Sequence, residues 1–96
     1  MNIRKKETDI FINAVQEIFK TCSFDGRKSK LHLTQETSTL VRLTFYYCER
    51  PITKRVTVNS KVSLKKIAKR IIKEYPNFRH IKKRKDYLGN KAFTIY

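Results

Sequence analysis

Apolar residues recur along Val62–Tyr75 at the spacing of one helix face. Leu64, Ile67, Ala68, Ile71, Ile72 and Tyr75 stand at i, i+3, i+4, i+7, i+8 and i+11, a repeat that a strand, with its period of two, does not reproduce. Ser63 is placed to cap the start. Pro76 ends the helix, because it disfavours helical geometry at the residue before it. A second repeat, Ile10, Phe11, Ala14, Val15, Ile18, Phe19 and Cys22, predicts an earlier helix. It opens at Thr8 or Asp9 after a charged lead, Met1–Glu7, and turns Asn13, Gln16, Glu17 and Lys20 to solvent.

Between these helices the period changes to two. Leu31–Glu36 alternates Leu31 and Leu33 with His32 and Thr34. Leu40–Cys48 sets Val41, Leu43, Phe45 and Tyr47 on one face and Arg42, Thr44, Tyr46 and Cys48 on the other. Ile52–Val58 turns Ile52, Val56 and Val58 inward and Thr53, Arg55 and Thr57 outward. Asp25-Gly26, Thr37–Thr39 and Glu49-Arg50-Pro51 mark the reversals. Short connections predict an antiparallel meander, and a single apolar face calls for helices to cover it.

Beyond Pro76, Gly89-Asn90 reads as a two-residue hairpin turn, followed by Phe93 and Ile95 alternating with Thr94 and Tyr96. The arm before the turn is too charged for a central strand. It is either an edge strand guarded by lysines or an extended basic arm. The order α-β-β-β-α-β-β gives an α+β fold: an antiparallel sheet of three to five strands with two helices packed on one face. Residues 1–96 make a single domain, with an α-β-β-β-α unit over 8–75 and a basic hairpin over 77–96.

Charge adds what the pattern alone does not. The formal net charge is +15, and it is local. Residues 1–50 hold nine Lys/Arg to six Asp/Glu, and residues 51–96 hold fourteen to two. A field of this kind attracts polyanions such as nucleic acid, an anionic membrane or an acidic protein surface. The membrane is the poorer match, because the aliphatic stripe of Val62–Tyr75 is what a small sheet needs as cover, and the segment has no Trp or Phe. No apolar leader follows the N-terminus, no run approaches the ~20 residues of a span, and Cys22 and Cys48 make no disulfide framework. These features predict a cytoplasmic, intracellular protein with free thiols, Cys22 being buried on its helix stripe.

No catalytic or metal-binding motif is present. His32 and His80 lie on different elements, and Cys22, His32, Cys48 and His80 lack the paired spacing of zinc ligands. The expectation is a non-enzyme without metal or cofactor. The best-supported chemistry is phosphate contact. Lys65, Lys66, Lys69, Arg70 and Lys73 fill the polar side of the second helix. Lys65 and Lys66 oppose the helix dipole in its first turn, a placement that a bound phosphate would turn favourable. Lys82, Lys83, Arg84 and Lys85 make a second patch. Arg42, Tyr46 and Arg55, with His32 beside them, add guanidinium and aromatic groups on the sheet face away from the helices.

The helix start Lys65-Lys66-Ile67-Ala68-Lys69, within an α-β-β-β-α order, resembles the double-stranded-RNA-binding domain, whose second helix opens with KKxAK. The resemblance covers roughly Asp9–Tyr75. It implies lysine contacts to phosphates across an A-form groove, with Gln16 or Glu17 nearest to the family's ribose-contacting position on the first helix. The family's Gly-Pro-x-His loop is absent, since Glu36-Thr37-Ser38-Thr39 stands there. The alanine-rich continuation of the helix is replaced by Arg70-Ile71-Ile72-Lys73, and the C-terminal hairpin is additional. The expected function is non-catalytic nucleic-acid binding through the backbone, RNA or duplex favoured. The alternative is a small phage or mobile-element inhibitor of the anti-CRISPR type, docking on a host nuclease or ribonucleoprotein complex.

Overall fold

Seven elements follow one another in the computed structural model: α1 (Ile3–Cys22), β1 (Lys30–Thr37), β2 (Leu40–Tyr47), β3 (Arg50–Thr57), α2 (Leu64–Glu74), β4 (Ile81–Lys85) and β5 (Lys91–Ile95). It describes residues 3–22, 29–47, 50–58 and 63–96, with residues 3–7, 47 and 50 as backbone only. The expected turn at Asp25-Gly26 and the residues Cys48, Glu49 and Val62 lie outside that set. All strand pairs are antiparallel, in the order β3-β2-β1-β5-β4. Both helices pack on one face, α1 over β2 and β3, α2 over β1 and β5. The fold is the expected α+β sheet with helices on one side, at the upper limit of five strands. Among the described residues no helix is long and apolar enough to cross a membrane.

The core is the meeting of three stripes. Leu31 and Leu33, Val41, Leu43 and Phe45, and Phe93 and Ile95 share the covered face of the sheet. Phe11, Ala14, Val15 and Ile18 of α1 and Leu64, Ile67, Ala68 and Ile71 of α2 close over them. Phe19 sits half-buried at one end, 5.0 Å from Phe45 and 4.9 Å from Tyr75 between ring centroids. Phe78, fully buried just after α2, joins the same aromatic cluster. It has no periodic neighbours in the sequence, so pattern reading does not find it.

Several boundaries differ from expectation. α1 begins at Ile3, so Thr8 and Asp9 lie inside the helix and do not cap it. Residues Arg4–Glu7 are good helix formers that need no apolar stripe to extend a helix. Ile10 is 46% exposed, whereas Ile12 is buried. Ile10 lies beside Lys54–Thr57 of β3, an edge strand with no further strand to cover it. Cys22 is half-buried, its thiol set against the Phe19 carbonyl at 3.7 Å. Arg50 and Pro51 belong to β3 and not to a turn, a position proline tolerates on an edge strand.

The C-terminal hairpin also turns elsewhere than expected. Asp86 N donates to Asn90 O and Gly89 N to Asp86 O, both at 3.0 Å. Tyr87 and Leu88 are therefore the central residues, and Gly89, at φ +83°, follows in the left-handed conformation. This is a three-residue loop, Tyr87–Gly89, not a two-residue turn at Gly89-Asn90. Asp86 Oδ1 accepts from the backbone N–H of Leu88 and Asn90, and Oδ2 from the Asn90 side chain, which fixes the loop. The basic arm before it is the edge strand β4.

Candidate nucleic-acid interface

α2 presents its cations because its other side is fully committed to the core. Ser63 caps it as expected, its Oγ accepting from Lys66 N at 3.4 Å, and the chain leaves the helix at Tyr75 before Pro76. With Leu64, Ile67, Ala68 and Ile71 buried, the solvent side carries Lys65, Lys69 and Lys73 in an i, i+4, i+8 column, and Lys66 beside them; all four are exposed. Among the described residues none of the four forms an ion pair. No acidic residue stands in the first turn of α2, so Lys65 and Lys66 meet the positive end of the helix dipole uncompensated.

Arg70 is differently employed. Its side chain is only 21% exposed. Nη2 donates to Asp9 Oδ1 at 2.8 Å, Nη1 to Thr8 Oγ1 at 3.2 Å and Nε to Glu74 Oε1 at 3.1 Å. The guanidinium thus clasps α2 to α1 and also takes up the only acid of α2. That leaves the lysine column without a local counter-charge and Arg70 as a packing residue.

The sheet face away from the helices forms a second basic surface, and the pairing registers arrange it in rows. One row crosses Arg55, Arg42, Thr34, Ala92 and Arg84; the next crosses Thr53, Thr44, His32, Thr94 and Lys82. Tyr46 stands opposite Lys30 in the row beyond, at the end of the sheet where Tyr96 and His80 exchange backbone hydrogen bonds. Arg42, Tyr46 and Arg55 therefore share a face as expected, and the pairing of β5 with β1 brings Lys82 and Arg84 onto the same face. Lys83, opposite the buried Phe93, points to the helix side. The β4 patch is thereby split between the two sides of the sheet.

Most of the charge on this face is already engaged. Glu36 accepts from Arg55 Nε at 2.8 Å and from Arg42 Nη1 at 3.4 Å. The register shift between Gln35 and Thr37 lies at this carboxylate, which is why strand alternation alone does not reveal the pairing. Arg84 Nη1 donates to the buried Thr94 Oγ1 at 3.4 Å, and that hydroxyl lies 3.1 Å from His32 Nδ1. With Arg84 as donor, the Thr94 proton is free to go to Nδ1, and in that arrangement the imidazole proton sits on Nε2. Burial first, then the charges of Arg84, Lys30 and Arg42, lower the His32 pKa below 6.5.

His32, Thr34, Thr44 and Ala92 line a cleft of about 240 Å³, with Arg42 and Tyr46 from β2 and Arg84, Lys85, Asp86 and Tyr87 from the hairpin also lining it. Tyr46 meets His32 edge-on at 4.9 Å. Among the described residues no cluster of three His, Cys, Asp or Glu side chains could hold a metal ion. The two basic surfaces lie on opposite sides of a molecule measuring 34 × 33 × 22 Å, because α2 packs its apolar stripe on the covered face of the sheet. Compared with protein-family models, with curated proteins and with solved structures, the chain matches none.

Proposed function

We propose that the chain is a non-catalytic nucleic-acid-binding protein that grips the phosphates of an RNA or other duplex with the lysine column of α2. One observation carries the reading: Lys65, Lys66, Lys69 and Lys73 are exposed on one rigid face, while the acid and the arginine of the same helix are bound to each other. A row of ammonium groups on a rigid helix suits regularly spaced phosphates and offers no base readout. Binding is therefore indifferent to sequence within one type of nucleic acid. Phosphates near the first turn would also reverse the unfavourable dipole interaction of Lys65 and Lys66.

The test is a titration of wild type and a Lys65→Gln/Lys66→Gln/Lys69→Gln variant against duplex RNA and duplex DNA at several salt concentrations. On duplex DNA the slope of log affinity against log salt should fall by about 0.9 for each phosphate that the variant no longer neutralises. Absence of measurable wild-type binding at low salt would sink the reading, and capture of a nuclease or ribonucleoprotein complex under the same conditions would support the inhibitor alternative.

A further inference from the structure

The open sheet face carries a different chemistry from α2. Its groups are aromatic and guanidinium as well as ammonium, and they are held in place. Tyr46 is 48% exposed, and its ring stands at 74° to that of His32, 4.9 Å away. Tyr96 lies tilted at 35° against His80, 5.3 Å away. Beside these rings come the polar row of His32, Thr44 and Thr94 and then the guanidinium row of Arg42, Arg55 and Arg84. The cleft links the rows, with Tyr46 and His32 supplying rings and Arg42 and Arg84 supplying guanidinium groups.

A flat duplex has no use for such an arrangement, because its bases are stacked inside. An unpaired nucleotide has a free ring face and a phosphate, and both find a partner here. At about 240 Å³ the cleft is smaller than the ~300–1,000 Å³ that takes drug-sized ligands, which suits one nucleotide unit. Lys82 and Arg84 stand two residues apart on an edge strand, roughly 7 Å along it, a step that an extended single-strand backbone can follow. Glu36 is satisfied by Arg42 and Arg55, and Asp86, the acid that lines the cleft, is held by Leu88 and Asn90 of its own loop. Lys30, Lys82, Arg84 and Lys85 outnumber that one carboxylate and supply the net positive charge of the face.

We propose that the open face of the sheet binds single-stranded nucleic acid, seating one nucleotide in the cleft between Tyr46 and Arg84. The site is separate from α2, and its pairing with a duplex on the other side of the molecule rests on the reading of that helix given above. His32, hydrogen-bonded to Thr94, brings a ring nitrogen to the cleft as a polar partner for the base.

The experiment titrates a labelled single-stranded RNA 12-mer and a duplex RNA separately against three proteins: wild type, Tyr46→Ala, and Lys82→Gln/Arg84→Gln. Both variants change exposed side chains, and a thermal melt of each confirms that folding is retained. Tyr46→Ala should weaken single-strand binding about 5- to 150-fold, the span of one stacked base, and leave duplex binding unchanged. Lys82→Gln/Arg84→Gln should weaken it and flatten its salt dependence. Equal single-strand affinity in all three proteins would overturn the proposal. So would sedimentation showing that a second copy of the chain covers this face, or a wild type that binds duplex alone. A wild type that binds the single strand alone, with loss in Tyr46→Ala, would uphold this site while refuting the duplex role of α2.

Discussion

Two basic surfaces of one small protein are built on opposite terms. On α2 the lysines are long, exposed and unpaired among the described residues, on a helix whose own acid has been taken by Arg70. On the open sheet the guanidinium groups already have partners, Arg42 and Arg55 in Glu36 and Arg84 in Thr94. The first is a surface of unpaired charge, suited to a partner that is itself a uniform line of charge. The second is a surface of fixed directions, suited to a partner with shape. The net charge of +15 describes both and distinguishes neither; what distinguishes them is how each cation is held.

The largest way to break the comparison is to remove what keeps the surfaces apart. Ile71 is fully buried on α2, and Ile71→Ala should cost about 2–5 kcal/mol of stability. Chemical denaturation would show it as a lowered midpoint. A midpoint equal to wild type would mean that α2 does not anchor to the sheet.

Arg70 sharpens the comparison from within α2. Arg70→Gln removes hydrogen bonds to Thr8, Asp9 and Glu74. It should cost about 1–2 kcal/mol, between the values for exposed ion pairs and for hydrogen bonds to charged groups. The salt slope of duplex binding should stay the same, since this cation is not offered to phosphates. The triple lysine variant should do the reverse. Its salt slope falls, and its melting temperature holds or rises slightly as repulsion and the dipole conflict are relieved. A triple variant that melts well below wild type would show that those lysines support the fold.

How much of this is legible in the sequence depends on whether the signal is local. The stripe of α2, the Ser63 cap and the alternation of Leu40–Tyr47 are short-range patterns, and they place both Lys65–Lys73 and the Arg42, Tyr46 and Arg55 face. The pairing of β5 with β1 joins distant parts of the chain. Nothing in Lys82–Lys85 announces that Arg84 will reach His32 through Thr94. Nor does position on the helix tell Arg70 from its lysine neighbours, because its fate depends on Asp9 in a helix 61 residues away. The extension of α1 to Ile3 escapes pattern reading because a charged segment can be helical without an apolar stripe. The Asp86 loop escapes it because Gly89-Asn90 imitates a two-residue turn.

The smallest effect expected is on the titration of His32. Its folded pKa lies below 6.5, so the unfolded chain binds more protons in that range. Its contribution to stability is complete above pH 6.5 and is lost as the pH falls through the lowered folded value. Arg84→Gln, by removing the nearest charge, should move the pKa of His32 upward, read from the imidazole resonances. An unmoved titration would separate Arg84 from the cleft.

The division of labour between the two faces is tested most directly by an amide correlation spectrum of the labelled protein during titration with a duplex RNA of mixed sequence. Shifts should be concentrated at Ser63–Lys73, with Thr44, Thr94 and the strands around them unmoved at the same duplex concentration. Shifts centred on the open face of the sheet, with α2 silent, would contradict that division.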